Sequence, residues 1–281
     1  MFWIIPLIKK FSLLLFKIIE FFNFCVEKLS NKNIFIYLNS FITEKTYKKI
    51  KILDQKIKFF VPNELVNWRV DTLFSKEPET LEWIDNFEKK DNIIFWDIGA
   101  NIGLYSIYNS LKNNNSSTIC FEPSSSNLRV LTRNISINNL ENKIKLFPIP
   151  LSKYDNSFLL MNENDFIEGG ALNSFGENFD YEGKKFESKM KYQLFGTTIN
   201  YLIKNKILEI PDYIKIDVDG IEHLILEGAK DYLNNKKIKS LSIEINENFN
   251  EQFYKVIEIM KQSGFKVLHK KQNEEQSSHK K

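Results

Sequence analysis

The sequence predicts an α/β fold in which a mainly parallel sheet carries helices on both faces, preceded by an apolar helical extension. Short apolar segments alternate with helical patterns from residue 92 onward, and the first segment ends in Asp97 just before a glycine-rich turn. Alternation of this kind implies crossover connections, and therefore parallel strands with helices packed on both sides of the sheet. The first thirty residues are the most apolar part of the chain.

The composition bounds the class of protein. The chain has 281 residues, is 43% hydrophobic, and carries 39 Lys and Arg against 36 Asp and Glu. This length fits one large domain or a domain with an extension, and the apolar fraction excludes global disorder. The nearly balanced charge gives no electrostatic case for nucleic acid. Cys25 and Cys120 provide neither a disulfide framework nor a Cys-based metal site, which is typical of a reducing compartment, so we expect a cytoplasmic protein.

The N-terminal segment has the pattern of an amphipathic helix. Charged residues from Lys9 to Glu20 interrupt its apolar run, which is then too short to span a bilayer. No basic residue precedes the apolar run and no small-residue cleavage site follows, so we do not expect a secretory signal. Two roles stay open for residues 1–28. They pack on the protein or on a second subunit in a homodimer, or they lie peripherally at the inner membrane surface.

Three regions follow from these patterns. Residues 1–60 form the helical extension, and residues 61–269 form the main domain, with a lead-in over 61–91 and a core from residue 92. The polar tail, residues 270–281, has no periodicity and is predicted to be disordered.

Within the core, the pattern predicts six strands and four helices. The strands are expected at residues 92–98, 118–121, 144–149, 213–218, 240–245 and 265–268. The helices are expected after the glycine turn to about residue 111, and at about 125–138, 222–233 and 250–263. This is a Rossmann-like arrangement, whose ligand is expected at the carboxyl ends of the first strands. Residues 153–196 are predicted to be irregular, either as a functional loop or as a poorly ordered insertion.

The glycine turn reads Asp97-Ile-Gly99-Ala-Asn101-Ile-Gly103. Gly99 permits a tight turn, and Gly103 would let a ligand approach the start of the helix closely. A dinucleotide site would place a glycine where Asn101 stands and would bind a pyrophosphate at the helix N-terminus. The Asp97 carboxylate disfavours a pyrophosphate and suits an ammonium group, which favours S-adenosylmethionine over NAD.

Glu122 ends the second strand. A carboxylate there can accept hydrogen bonds from both hydroxyls of a ribose. An isolated Glu at a strand end is usually solvated, but next to the glycine turn it indicates a nucleoside ligand.

Three segments carry a family resemblance: FWDIGANIGLYS, FEPSSSNLRVLTRNISINN and YIKIDVDGIEHLILEGA. Together they resemble the FkbM family of S-adenosylmethionine-dependent methyltransferases, over residues 74–268. The resemblance implies a class I methyltransferase fold with S-adenosylmethionine as cofactor.

The resemblance also implies roles for individual residues. Asp97 would orient the amino acid end of the cofactor, the turn from Gly99 to Gly103 would line its methionine and ribose, and Glu122 would hold the ribose. Three residues would close on the adenine: Pro150, Leu151 and Ser152.

Charged residues follow the fourth and fifth strands. Lys215, Asp217 and Asp219 alternate with apolar residues and would face one way. Glu244 lies on the next strand. A buried Lys215–Glu244 pair would satisfy two charges that could not remain alone inside the sheet.

Transfer of a methyl group to a hydroxyl requires an in-line approach and removal of a proton. The candidate bases are Asp217, Asp219, Glu222 and His223; Asp217 is the best placed, and which of them titrates stays open. His223 equally fits an exposed position in the first helical turn. Carboxylates such as Asp217 and Glu244 could hold a divalent cation, but no spacing specifies one and we expect no metal.

The predicted function is therefore methylation of an oxygen. The resemblance favours a sugar hydroxyl in a saccharide or glycolipid, although nothing in the sequence identifies the acceptor. Two other functions remain: an NAD-type nucleotide-dependent oxidoreductase, and a non-catalytic scaffold that binds the cofactor or a membrane.

Overall fold

The structure is a computed structural model that describes residues 4–185 and 187–271. Most of the predicted polar tail, from residue 272 onward, lies outside the described residues. In chain order, the described helices and strands are α1 (Ile4–Ser30), α2 (Ile34–Thr43), β1 (Tyr47–Ile52), β2 (Gln55–Phe60), α3 (Glu64–Asp71), α4 (Pro78–Asp85), β3 (Ile93–Ile98), α5 (Leu104–Lys112), β4 (Ser116–Phe121), α6 (Ser125–Ser136), β5 (Ile144–Phe147), β6 (Ser157–Glu163), β7 (Ser174–Phe175), β8 (Met190–Gly196), α7 (Ile199–Lys204), β9 (Tyr213–Ile216), α8 (Glu222–Glu227), β10 (Ser240–Ile243) and α9 (Asn250–Gln262).

The chain forms two compact units, one ending at Tyr47 and one beginning at Lys48. This division lies earlier in the chain than the predicted boundary at residue 60. Strand β2 belongs with the second unit because Asn138, just after α6, exchanges hydrogen bonds with the backbone N–H and C=O of Lys58.

The main sheet is parallel, with the strand order β10-β9-β3-β4-β5. This confirms the predicted parallel α/β fold. Trp96, Phe121 and Ile216 are almost completely buried in its core, as expected where helices cover both faces. The order reverses at β3, since β4 and β5 extend to one side and β9 and β10 to the other. Such a switch point leaves a crevice at the carboxyl ends of the strands, where ligands bind in sheets of this type.

Residues 153–196 are not irregular, as the sequence predicted, but contain an antiparallel sheet with the order β7-β6-β8. Its inner face packs on a small apolar cluster that includes Met161, Phe175 and Leu224. The strands were missed because their exposed faces also carry large apolar residues, such as Phe158 and Phe195, which obscure the alternation.

The predicted sixth strand, residues 265–268, is absent from the part of the chain that the structure describes. Gly264 ends α9 with a φ of +86°, as expected for a helix C-terminus, and the following residues do not join the sheet. Val267 and Leu268 are 69% and 77% exposed, so their apolar side chains do not extend the core. Helix α8 is also shorter than predicted, because the chain passes into turns after Glu227.

The first unit is a pair of helices, which confirms the predicted apolar helix. Ile34 donates its backbone N–H to Asn23 Oδ1 at 2.8 Å, and the rings of Phe16 and Phe35 stack with centroids 5.6 Å apart. Among the described residues, no helix combines the length and apolar content needed to cross a membrane.

Candidate active site

The turn after β3 requires glycine at position 99. Gly99 has a φ of +82°, and a Cβ added there would lie 1.8 Å from the backbone oxygen of Asp217. The N–H groups of Gly99 and Ala100 both donate to the Phe121 carbonyl at 3.0 Å. The turn is therefore held between the ends of β9 and β4, with no room for a side chain.

Glu122 closes the other side of this turn. Its Oε2 accepts the Asn101 N–H at 2.7 Å, and its Oε1 accepts the Ser124 N–H at 2.8 Å. Burial raises the pKa of Glu122 to about 8, although both N–H groups favour the charged form. The predicted acid thus lies at the end of β4, directly beside the glycine turn.

A first cavity opens at the carboxyl ends of β3, β4 and β9, and the antiparallel sheet covers it. It holds about 570 Å³ of space between its lining atoms, part of it open to solvent. The predicted site residues that line it are Gly99, Asn101, Glu122, Pro150, Leu151, Asp217 and Asp219.

The loop between β6 and β7 of the inserted sheet is fixed to this cavity by two asparagines. Asn101 and Asn127 both donate their side-chain N–H groups to the Gly170 carbonyl, at 2.8 and 3.1 Å, and Asn127 Oδ1 accepts the Gly169 N–H. Sequence reasoning missed Asn127. Its position on α6 shortly after Glu122 was the available signal, but its partner lies more than forty residues away in the chain.

A second cavity lies beside the same turn and shares Gly99, Asn101 and Asp217 with the first. Its other walls come from α5 and from the lead-in before the sheet, which sequence analysis did not connect to the site. The polar residues that these elements and β9 add are Arg69, Thr72, Lys76, Glu77, Tyr105 and Lys215. Within this wall, the Tyr105 hydroxyl donates to Glu77 Oε2 at 2.8 Å and Lys76 pairs with Glu77 at 2.6 Å.

Lys215 pairs with Asp217, not with Glu244 as predicted. Its Nζ lies 2.5 Å from Asp217 Oδ2 and 4.8 Å from the centre of the Tyr105 ring. The register places Ser242 opposite Lys215, so Glu244 lies further along and beside Asp217 instead. Burial lowers the pKa of Lys215, but the charges of Asp217 and Asp97 outweigh it, and the ammonium stays charged.

The two acids after β9, Asp217 and Asp219, have pKa values that are shifted in opposite directions. Burial favours the neutral form of Asp217, but the Lys215 charge holds its pKa below the usual range. Burial, together with the negative charge of Asp217, raises the pKa of Asp219 to about 6. The charge of Asp217 likewise raises the pKa of Glu244. One acid of this group is therefore fixed as an anion, while Asp219 can exchange a proton near neutral pH.

Three predicted cofactor residues line neither cavity. Asp97 is fully buried in the sheet, where the Ser106 hydroxyl donates to its Oδ2 at 2.6 Å. Gly103 has a φ of +86°, and a Cβ there would lie 2.5 Å from Leu131 Cδ1, so packing gives another reason for this glycine. Ser152 is buried and accepts a backbone N–H through its hydroxyl. Their roles toward a cofactor stay predictions.

Two predicted bases also lie away from the cavities. The Glu222 carboxylate accepts the N–H groups of Val218 and Gly220 at 3.0 Å, and His223 is buried edge-on against Phe249. The reason is a sharp turn at Asp219 and Gly220, both of positive φ, which folds Glu222 back onto the turn. Of the four candidates, Asp217 and Asp219 border one or both of these two cavities, and Glu222 and His223 border neither.

The donor set of the first cavity fits a nucleoside with an amino acid end. Glu122 and Asp217 are hydrogen-bond acceptors for hydroxyl and ammonium groups, and Ile149 and Leu151 supply an apolar wall for a flat base. Asn101 Oδ1 is buried without a hydrogen-bond partner among the described residues, so an acceptor is available there.

The strand order, the glycine turn and the acid after β4 define a Rossmann-like methyltransferase fold. The methyltransferase FkbM domain matches residues 97–267, and the chain belongs to that family. The resemblance seen in the sequence is thereby confirmed, and S-adenosylmethionine is the cofactor that family membership indicates.

The individual relatives share only low sequence identity with this chain. Methyltransferase sdnD of Sordaria araneosa is 25% identical over 154 residues, which make up 47% of this chain and 59% of the relative. This chain therefore spans less than two thirds of that relative's length.

Two solved structures are similar at low identity. The precorrin-6y C5,15-methyltransferase of Geobacter metallireducens is 14% identical, with a TM-score of 0.38 over 68% of this chain and 71% of that one. TrmK of M. capricolum, solved with S-adenosyl-homocysteine, is 15% identical, with a TM-score of 0.32 over 58% and 49% of the two chains. The fold assignment rests on the strand order and not on these two similarities.

Proposed function

We propose that this protein transfers the methyl group of S-adenosylmethionine to a hydroxyl oxygen of a saccharide or glycolipid. The observation that carries the proposal is a single cavity that brings Glu122, at the end of β4, together with Asp217 and Asp219, after β9. Membership of the FkbM methyltransferase family supports the reaction type.

The cofactor would be held by the residues of the first cavity. Glu122 would accept the ribose hydroxyls, Leu151 would pack on the adenine, and Asp217, kept ionised by Lys215, would face the positively charged end of the cofactor. Bound S-adenosylmethionine supplies a methyl group activated by its positively charged sulfur.

Asp219 is the proposed general base. Its pKa of about 6 lets the carboxylate predominate at neutral pH while it can still take up a proton. It would accept the proton that the acceptor hydroxyl loses as its oxygen takes the methyl group. Asp219 also has a φ of +61°, and backbone strain of this kind in a non-glycine residue is concentrated at functional sites.

The acceptor is proposed to enter through the second cavity. That cavity adjoins the first at Gly99 and Asp217, and its charged and hydroxyl groups include Arg69, Glu77 and Tyr105. Such groups suit a ligand with many hydroxyls, and the family resemblance favours a sugar.

The test is methyl transfer with a labelled cofactor. The purified chain is incubated with S-adenosylmethionine carrying an isotope-labelled methyl group and with saccharide and glycolipid extracts, and products are read by mass spectrometry. We expect a labelled methyl ether in the wild type and about a hundredfold less, or still less, with Asp219→Asn. Label on nitrogen or carbon would refute O-methylation, and cofactor binding without transfer to any acceptor would favour a non-catalytic scaffold.

A further inference from the structure

The two helices of the first unit carry most of the large apolar side chains that are exposed in the part of the chain that the structure describes. Of the 31 large apolar or aromatic side chains exposed within residues 4–185 and 187–271, 18 lie between Ile4 and Ile42. Contiguous apolar patches of this size on a protein surface mark a site that binds a partner or a membrane.

One face of α1 forms a continuous apolar stripe. Its members recur every three or four residues and are 45–68% exposed; they are Ile4, Leu7, Phe11, Leu14, Ile18 and Phe22. Helix α2 packs along a different face, through Phe16 and Asn23, and so leaves the apolar stripe exposed.

Most of the charges on α1 are sorted around this stripe. At about 100° per residue, Lys10, Lys17 and Lys28 fall on one line along the edge of the stripe. Glu20 and Glu27 fall on the opposite side of the helix, and so does Lys9. Lysines beside an apolar face can cover its edge with their stems and hold their ammonium groups at a polar surface.

We propose that α1 docks in the plane of a bilayer that contains anionic lipid, with the apolar stripe in the acyl boundary and the three lysines at the head groups. An apolar stripe with cations along one edge and both acids on the far side complements such a surface. A protein partner would need no such separation of charge. The docking does not depend on the proposed chemistry, because a chain without methyl transfer would still bind vesicles.

Adjacent leucines provide a matched pair for the test. Leu13 and Leu14 are each 57% exposed, but only Leu14 lies on the apolar stripe. The full chain is sedimented with vesicles of phosphatidylglycerol and phosphatidylcholine in equal parts. We expect Leu14→Glu to weaken binding at least about tenfold, since an acid replaces a side chain that enters the acyl boundary. Leu13→Glu should change binding by less than about twofold, because Leu13 does not lie on the apolar stripe.

The charge is tested in the same assay. Reversing Lys10 and Lys17 to Glu should weaken binding to the anionic vesicles roughly tenfold or more, and wild-type binding should fall with added salt. The control reverses Lys49 and Lys56, two exposed lysines of the β1–β2 hairpin, and should have little effect. Vesicles of phosphatidylcholine alone should bind the wild type more weakly.

Three results would overturn the proposal. The first is an equal loss of binding in the two leucine variants, and the second is equal binding of the wild type to neutral and anionic vesicles. The third is a wild type that does not bind vesicles and forms a dimer, seen by light scattering, that Leu14→Glu dissociates. The last result would assign the stripe to a second copy of the chain. Circular dichroism of each variant confirms that its helices are formed.

Discussion

The backbone N–H of Asn101 donates to the Glu122 carboxylate across 2.7 Å, and this bond joins the glycine turn after β3 to the acid after β4. Glu122 is 5% exposed, and its carboxylate also binds the Ser124 N–H. The acid is therefore both part of the architecture of the turn and a wall of the first cavity.

Burial of Glu122 should make stability depend on pH. Its pKa rises from 4.5 unfolded to about 8 folded, so the folded state holds the proton more tightly. The contribution of Glu122 to the free energy of unfolding is then greatest below about pH 4.5, and it falls as the pH rises toward about 8. Urea denaturation at several pH values should show a smaller fall in Glu122→Gln. The exposed Glu141→Gln should keep the wild-type slope, and identical slopes in all three proteins would contradict this account.

Gly99→Ala should be strongly destabilising, because the new Cβ would meet the Asp217 backbone oxygen at 1.8 Å and the φ is positive. We expect a loss of about 2–4 kcal/mol in the free energy of unfolding. Gly264→Ala is the control, since its φ is also positive but nothing lies within 4 Å; it should lose about 1 kcal/mol. Equal losses would mean that strain alone, and not the close approach of β9, requires glycine at position 99.

Lys215→Met should leave Asp97 and Asp217 without their buried cation. We expect a loss of about 3–5 kcal/mol at neutral pH. The difference from wild type should shrink at about pH 5, because the pKa of both carboxyls rises in the variant and they take up protons. Lys112→Met breaks the half-exposed pair with Asp85 and should cost less than about 1 kcal/mol. A loss that does not change with pH would indicate lost packing instead of lost charge.

Asp219→Asn should lower kcat for methyl transfer by about a hundredfold or more, which is the usual effect of removing a general base. In the wild type, kcat/KM should rise with pH and level off above about 6, as Asp219 loses its proton. Burial lowers the pKa of His223 to about 4, so it stays neutral across that range. His223→Gln should therefore keep the wild-type pH profile. A profile that flattens in His223→Gln and persists in Asp219→Asn would assign the base to the histidine.

The sequence predicted the sheet well because its strands are local apolar runs bounded by turns. IIFWDI and YIKI are both buried on two faces; the first is followed by the glycine turn and the second by Asp217. The sequence also predicted four residues of the site, because the carboxyl ends of parallel strands meet at one edge of the sheet. These residues are Gly99, Asn101, Glu122 and Asp217.

The remaining features depend on contacts between distant segments. The predicted partner of Lys215 was wrong because the register between β9 and β10 cannot be read from the alternation of residues alone. In the structure, Ser242 lies opposite Lys215. Glu222 was predicted as a candidate base, but the chain turns at Asp219 and folds Glu222 back onto the turn. The positive φ of Asp219 that causes this leaves no pattern in the sequence. Arg69 comes from a segment that approaches the site only in the folded chain, and the partner of Asn127, Gly170, is likewise distant in the sequence.

The central claim is that the first cavity binds S-adenosylmethionine through Glu122. Calorimetric titration of wild type, Glu122→Gln and Glu141→Gln with S-adenosylhomocysteine, and with NAD as the competing ligand, tests it most directly. The account predicts binding of S-adenosylhomocysteine and not NAD by the wild type. Above about pH 8, where the Glu122 carboxylate is ionised, it also predicts a loss of at least about tenfold in affinity for Glu122→Gln, as expected when charged hydrogen bonds are removed, and none for Glu141→Gln. Unchanged affinity in Glu122→Gln, or binding of NAD in preference, would contradict it.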